Sequence, residues 1–412
     1  MQLEKKTRIL HVATGFPISF PGGVTNYVRS LAISQRESGY TVDIIAGTGS
    51  SDAEGKIATK IYEYGGVMTP FSLSIGRDNH SDSSKLKKII EEYDLVHFHM
   101  LYGFPSSFFK EAVKTPYVVS LHDYGLICPR IFMVDKWQGI CESRELEKCS
   151  QCVGLLEQIN VVRGGAKRLG LKLPDIYSSG PKVRAQAVDG FLRRANARLA
   201  VSSKVAAIFE DAVSEAPCKV LHIGNDSAGD IPRRKDWMPN GVIRCAFIGT
   251  LNWDKGAEVF ISLAKALMGK QVSFEFWGRG QEKYIEQLQN LGVQCKGSYK
   301  PDQLKSILKD VDLGLVLPVW NDNGPQVLME FINNGVPVLG THRGGIPDFL
   351  NEKIGFTFDP FSEINKATDW IASLTTEKLT AMNENISLLK TPAQHASEVS
   401  KIYEDCIAAS TK

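Results

Sequence analysis

Two acidic side chains, Asp322 and Glu330, stand with seven residues between them in a stretch where strand, loop and helix signals follow one another. Residues 313–319 are short and apolar throughout, as a parallel strand buried on both faces would be. The polar, turn-prone Asn321-Asp322-Asn323-Gly324 comes next, then Pro325, whose missing N–H and fixed φ suit a first helical turn. Val327, Leu328 and Phe331 recur at helical spacing, and Asn334-Gly335 supplies the stop. Residues 336–339 predict a second strand, and Gly344-Gly345 precedes another helix start at Ile346. Such a unit aims backbone N–H groups at an anion beyond the carboxyl ends of its strands. By itself, however, the acid pair fits an ordinary strand–helix–strand unit with a solvated Asp and a helical Glu.

Histidines and cysteines supply the other candidate chemistry. His97 and His99 close the predicted strand 94–100, and His122, followed by Asp123, closes 116–122. Ligands bind at that edge of an open parallel sheet. His99 and His122 are therefore placed to act, whereas His97 reads as a hydrogen-bonded structural residue. Cys128, Cys141, Cys149 and Cys152 form C-x12-C-x7-C-x2-C. The last pair has metal-knuckle spacing, and four thiols could complete a tetrahedral structural zinc site. A disulfide or redox pair, or four unligated thiols, fits the same pattern.

With Gly324-Pro325, Gly335-Val336-Pro337-Val338 and Gly344-Gly345 all in register, the acid pair resembles the E-x7-E signature of retaining glycosyltransferases of family 4. The resemblance implies the α/β GT-B fold: two Rossmann-like, doubly wound parallel-sheet domains facing across a cleft. It also implies transfer of a hexosyl or N-acetylhexosaminyl group from a nucleotide sugar, UDP favoured and GDP next. The acceptor would be a hydroxyl of a glycan or lipid-linked sugar in surface polysaccharide assembly. On this basis Glu330 meets the ribose hydroxyls and Asp322 the sugar hydroxyls. The backbone of Asn323, Gly324, Pro325, Gln326 and Val327 faces the sugar and diphosphate. His122 matches a histidine that contacts the donor sugar, Gly22-Gly23 a loop near the donor phosphates, and Lys255 a lysine that neutralises the diphosphate. Gly278 and Arg279 match a G-x-G turn, and His99 and Tyr124 fall on the acceptor side. No cofactor would be required for catalysis, because helix N-termini and Lys255 do the work of a divalent cation.

Two departures stand out. Asp322 is one methylene shorter than the usual Glu, and Thr250 stands where an arginine is expected. Losing a bidentate phosphate clamp weakens leaving-group stabilisation. Either Arg279 or Arg343 substitutes, or the chain binds a nucleotide sugar with little turnover. The second case would make it a non-catalytic partner subunit binding nucleotide sugar or glycan. An epimerase or phosphorylase on the same scaffold ranks third, since no pyridoxal-lysine sequence is evident.

The elements that must position these groups read as alternating strands and helices. Residues 8–13 predict the first strand, and Val24, Tyr27, Val28, Leu31 and Ala32 mark one face of the next helix. Residues 41–46 predict the second strand, opening a doubly wound domain. Strands at 197–202 and 219–223 end the first half, and polar residues 226–241 read as a linker. Residues 242–248 restart the pattern, with Gly249-Thr250-Leu251 as a loop and Lys255 ahead of a helix bearing Val259, Phe260, Leu263 and Leu267. Residues 272–277 predict a strand, Gly278-Arg279-Gly280 a turn into helix 282–291, and 346–350 and 354–358 the end of the sheet. The expected domains are 1–225, carrying the cysteine insertion 128–152 and a basic connector 160–198, and 242–392, which holds the donor. Residues 393–412 form a helix returning to the first domain.

A chain of 412 residues exceeds a single ordinary core. With 43% apolar and 23% charged residues it reads as soluble and globular, and a net charge of +2 selects no partner by charge alone. No apolar run reaches the ~18–20 residues that span a bilayer, and the N-terminal apolar run is too short for a signal peptide. A cytoplasmic location, peripheral at the inner face of the membrane, is the expectation. The connector reads either as a solvated segment or as a surface for anionic headgroups, favoured by ~1 kcal/mol per charge. Nucleic acid is excluded as a partner, because no aromatic-rich or finger motif accompanies the charge.

Overall fold

The structure is a computed structural model and describes residues 6–19, 22–64, 80–156, 160–174, 176–225, 227, 231–234 and 236–410. The chain divides into two units, residues 1–224 with 392–412 and residues 225–391.

The first unit is built on seven strands: β1 (Arg8–Ala13), β2 (Thr41–Ala46), β3 (Ile61–Glu63), β4 (Leu95–Met100), β5 (Tyr117–Leu121), β6 (Ala197–Ala200) and β7 (Lys219–Val220). Their order is β3-β2-β1-β4-β5-β6-β7, every neighbour parallel. The order reverses between β1 and β4, which makes that gap the ligand-binding position of a doubly wound sheet. Both strands are almost wholly buried, and their apolar runs are broken only by Arg8, His11, His97 and His99. The C-terminal helix Pro392–Ser410 belongs to this unit, burying His395, Val399, Ile402 and Tyr403.

The second unit holds β8 (Ile243–Leu251), β9 (Val272–Gly280), β10 (Gln294–Gly297), β11 (Leu313–Val316), β12 (Val338–Thr341) and β13 (Gly355–Phe358). Its order, β10-β9-β8-β11-β12-β13, is again all parallel and reverses between β8 and β11. Alternate residues of each strand feed two cores: Cys245, Phe247, Leu313 and Leu315 pack on one, Ala246, Ile248 and Val316 on the other.

Several expectations need correction. Thr250 and Arg279 do not lie in turns, because β8 and β9 run on to Leu251 and Gly280. The extra residues stay extended by pairing with each other, Gly249 with Gly278, Thr250 with Arg279 and Leu251 with Gly280. Residues 346–350 are not a strand: Ile346–Asp348 form a 3-10 turn. Within the expected linker, residues 231–234 pack into the second unit. The Arg233 guanidinium donates to the Asn383 carbonyl, and Arg234 lies over Trp237 and donates to Asp312 at 3.1 Å. Asp312 is fully buried and also accepts from Arg244 at 2.7 Å, so two cations offset its desolvation.

The basic connector is mostly structural as well. Helix Gly180–Arg194 buries Arg184, which donates to the Leu126 and Gly125 carbonyls. Arg194 and Arg198 likewise satisfy backbone carbonyls. Among the described residues no helix is long and apolar enough to cross a membrane.

Candidate functional site

In the second unit the loops that leave β8 and β11 are tied together at the crossover. The Val319 N–H donates to the Asp254 carbonyl at 3.0 Å. Gly256, at φ +87, caps helix Ala257–Ala266. A Cβ there would sit 1.8 Å from the Leu317 carbonyl oxygen, so only glycine lets the two loops meet. The closure sets Lys255 beside Asp322, with Nζ 2.5 Å from Oδ2. The pair is unequal in exposure: 38% of the lysine side chain is accessible but only 9% of the aspartate. Burial alone would lower the Lys255 ammonium, but Asp322, with Asp254 behind it, outweighs burial and raises it. The cation also stands 5.4 Å from the Trp320 ring.

The loop that carries Asp322 is fixed by the paired glycine. Gly345 N–H donates to the Asp322 carbonyl at 2.7 Å, and Gly344 N–H to the Asn321 side-chain oxygen at 3.3 Å. Gly344 adopts φ +54, and a Cβ on it would lie 1.8 Å from the Asp322 carbonyl oxygen. Beyond Asp322 the chain passes Asn323 and Gly324, and Pro325 caps helix Gln326–Asn333. Gln326 and Val327 open its first turn, where N–H groups lack intrahelical acceptors. Glu330 follows on the same helix, half-buried, and among the described residues its carboxylate has no recorded hydrogen-bond partner. Burial raises that carboxyl, and the carboxylate in turn helps burial push the Tyr299 phenol up to about 12. A desolvated acid without a donor is poised to accept from ligand hydroxyls.

Thr250 and Arg279 are exposed register neighbours, and the Arg279 guanidinium donates to Ser298 just past β10 at 2.8 Å. A cation thus stands beside the position where the arginine is missing. Arg343 does not fill that role so readily, being paired with Asp359 at 2.9 Å.

The first unit gathers histidines at its own crossover. The pairing of β1 with β4 sets His11 opposite His97. His11 Nε2 meets Gln35 Oε1 at 2.8 Å, His11 Nδ1 meets His99 Nε2 at 2.8 Å, and His99 Nδ1 meets His122 Nε2 at 3.1 Å. With the Gln35 carbonyl accepting, each imidazole donates from Nε2 and accepts at Nδ1, so the chain leaves the His122 lone pair on Nδ1. Burial holds His11 down to about 4 and His122 to about 3, with His395 adding to the effect on His122. His97 and His99 are also held well below 6.5, by burial first and their neighbouring histidines second. All four are therefore neutral near pH 7. His11, His97 and His99 each bring a nitrogen within 4.8 Å of the others. Those nitrogens are already engaged, His97 with Tyr403 at 2.5 Å and Ser120 at 2.8 Å, so the array reads as a hydrogen-bonded network.

His99, expected on the acceptor side, is a buried link behind His122. Tyr124 is a fully buried core residue stacked on Phe209. Its sequence neighbour Asp123 instead accepts from the Tyr102 hydroxyl at 2.7 Å. Gly22 and Gly23 begin helix Gly23–Glu37, with open space around Gly23, while Pro21 lies outside the described residues. His11 and Gln35 were missed because only tertiary pairing shows that they meet His99. A histidine inside an otherwise apolar strand was the available signal. Cys128, Cys141, Cys149 and Cys152 line one small cavity and are all free thiols.

The model for Glycosyltransferase Family 4 matches residues 21–228, and that for Glycosyl transferases group 1 matches residues 233–387. Over 116 residues the chain is 30% identical to the putative colanic acid biosynthesis glycosyltransferase WcaL of Escherichia coli, covering 25% of this chain and 29% of that one. Over 205 residues it is 24% identical to D-inositol 3-phosphate glycosyltransferase of Corynebacterium glutamicum, covering 45% and 49%. The chain thus spans less than half the length of these curated relatives. Among solved structures, Anabaena Alr3699/HepE in complex with UDP superposes with a TM-score of 0.62 at 16% identity, over 97% of this chain and 100% of that one. Sucrose-phosphate synthase from Thermosynechococcus elongatus gives 0.66 at 15% identity, over 98% and 100%. These likenesses agree with the two Rossmann-like sheets in giving the GT-B fold, and on the family match the chain belongs to glycosyltransferase family 4.

Proposed function

We propose that this chain is a retaining glycosyltransferase that binds a nucleotide sugar at the carboxyl edge of its second sheet and passes the sugar to an acceptor hydroxyl. The observation that carries the reading is the Lys255–Asp322 pair at 2.5 Å, beyond the β8/β11 crossover and just ahead of helix Gln326–Asn333. Without a donor, each charge neutralises the other. With one, Lys255 turns to the diphosphate, which frees the Asp322 carboxylate for the sugar hydroxyls. Glu330 accepts from the ribose hydroxyls, and first-turn amides of its helix face the phosphates.

As the C1–O bond to the diphosphate breaks, charge builds on the leaving oxygen. Lys255, Arg279 and the helix N-terminus meet it there. The acceptor oxygen attacks from the same face, and its proton goes to the leaving phosphate oxygen. Asp322 and Glu330 are then positioning groups, not a glycosidase acid/base pair. His122, kept neutral by burial, is assigned a hydrogen bond to the sugar and no proton transfer.

The transferred group is a hexosyl or N-acetylhexosaminyl unit. UDP-sugars are the first donors to try and GDP-sugars the next. UDP is bound in the Anabaena complex, and a corynebacterial relative is named for its dependence on GDP-mannose. A glycan or lipid-linked acceptor in surface polysaccharide assembly fits the colanic acid relative. Exposed Leu169 and Leu171 beside Lys167, Arg168 and Lys172 suit peripheral contact with an anionic membrane.

The test is nucleoside diphosphate release from α-configured donors in the presence of hydroxyl acceptors, with the product anomer read by NMR. Release with an α-linked product is expected. A β-linked product would contradict retention. Donor binding without turnover on any acceptor would make the chain a binding subunit.

A further inference from the structure

The segment that follows His122-Asp123 holds its shape with little apolar core. Its regular structure is one isolated bridge, Val134 with Ile140, and the short helix Leu146–Cys152. Ile131, Met133 and Gln138 take φ of +70, +51 and +69, a conformation that costs non-glycine residues roughly 1–2 kcal/mol each. Cys152 and Val153 form a buried cluster of their own, apart from the sheet cores. A segment of this kind needs a staple.

The staple is at hand in the sulfurs. All four cysteines line a single cavity of about 20 Å³. Donors already converge on them: the backbone N–H groups of Arg130 and Met133 on Cys128, and the Arg130 Nε–H on Cys152 Sγ at 3.1 Å. A thiol is a weak acceptor and a thiolate a strong one, so amide and guanidinium donors on sulfur suit metal-bound thiolates. Lys148, held 3.0 Å from Asp135, lies near Cys141, and buried Arg184 near Cys128. Four thiolates around a divalent ion carry a net negative charge, which these cations would balance.

We propose that Cys128, Cys141, Cys149 and Cys152 hold one structural zinc ion, and that this ion fixes the segment between His122 and the helix Leu146–Cys152. In the present rotamers no three of the sulfurs lie within 4.8 Å of one another. Tetrahedral Zn–S bonds of about 2.3 Å bring sulfurs to about 3.8 Å. Rotation of χ1 between staggered wells moves a sulfur by roughly 2–3 Å, and the proposal requires Cys141 and Cys149 to make that movement toward Cys128 and Cys152, which already hold their donors. Each thiol proton leaves to water as its Zn–S bond forms. The inference does not depend on the donor or acceptor chemistry.

The full-length chain, purified with zinc supplied, is assayed for metal by mass spectrometry and refolded with cobalt(II) as a spectroscopic probe. One zinc per chain is expected, with thiolate-to-cobalt charge-transfer absorption and tetrahedral d–d bands. The metal should be lost in Cys149→Ser and Cys152→Ser but kept in Cys218→Ser. No metal with four freely alkylated thiols, or a Cys149–Cys152 disulfide, would overturn the proposal. So would zinc retained in both serine variants, or a cobalt spectrum without thiolate bands, either of which would point to the histidines. The cobalt spectrum of the unmodified chain decides the matter even if the serine variants fail to fold.

Discussion

On the proposed function, Arg279 is the residue on which catalytic competence would turn. The position expected to clamp the diphosphate carries Thr250, whose hydroxyl cannot replace a guanidinium fork. The register that extends β8 and β9 delivers Arg279 to the same strand end, where Ser298 holds it and, among the described residues, no carboxylate pairs with it. Arg279→Ala is expected to lower kcat about 10²–10³-fold, the effect of removing one transition-state donor, and Thr250→Arg in that background to restore much of it. If Arg279→Ala left kcat unchanged with an active donor–acceptor pair, the clamp would have to be sought elsewhere. Asp322, Glu330 and Lys255 were legible as spacing and order along the chain. Arg279 could be named only as one of two substitutes, because strand register is a tertiary fact. Tyr124 misled for a related reason: adjacency to His122-Asp123 says nothing about which face of a loop turns inward.

At the scale of elements, apolar runs and glycine stops located most of the strands. Residues 8–13 and 41–46 match β1 and β2 end to end. The short edge strands β3 and β10 were not read, since neither carries the continuous apolar run of a buried strand. The histidine array was only partly visible, because β1, β4 and β5 bring together residues up to 88 positions apart.

That array has a consequence for stability. His11, His97, His99 and His122 are buried neutral, with folded pKa values below the 6.5 of an exposed imidazole. Above that value both folded and unfolded chains are uncharged at these sites. As pH falls below 6.5 the unfolded chain binds protons that the folded chain refuses, so stability drops toward the folded values near 4 and 3. Each histidine contributes up to about 1.4 kcal/mol per pH unit. Of the eight histidines only His342 lies in the second unit. Amide exchange followed from pH 7 to 5 should show the first unit losing protection well before the second. Equal loss in both units would count against a buried neutral array.

At the scale of the whole molecule, two sheets of the same doubly wound kind carry different chemistry at corresponding crossovers. Neutral, hydrogen-bonded imidazoles occupy one, and an ion pair beside a helix N-terminus and a desolvated acid occupies the other. The C-terminal helix joins the first unit through side chains of that array, since Tyr403 binds His97, and His395 meets Tyr27 at 3.0 Å. The central claim, that the second unit is a nucleotide-sugar site, is tested most directly by thermal unfolding with UDP-, GDP- and ADP-sugars. Donor at ~100 times its dissociation constant should add about 2.7 kcal/mol, a rise of roughly 5–11 °C for domains of this size at about 2–4 °C per kcal/mol. The account predicts that rise with one nucleotide class and its loss in Lys255→Ala and Glu330→Ala. No rise with any nucleotide, or an undiminished rise in both variants, would contradict it.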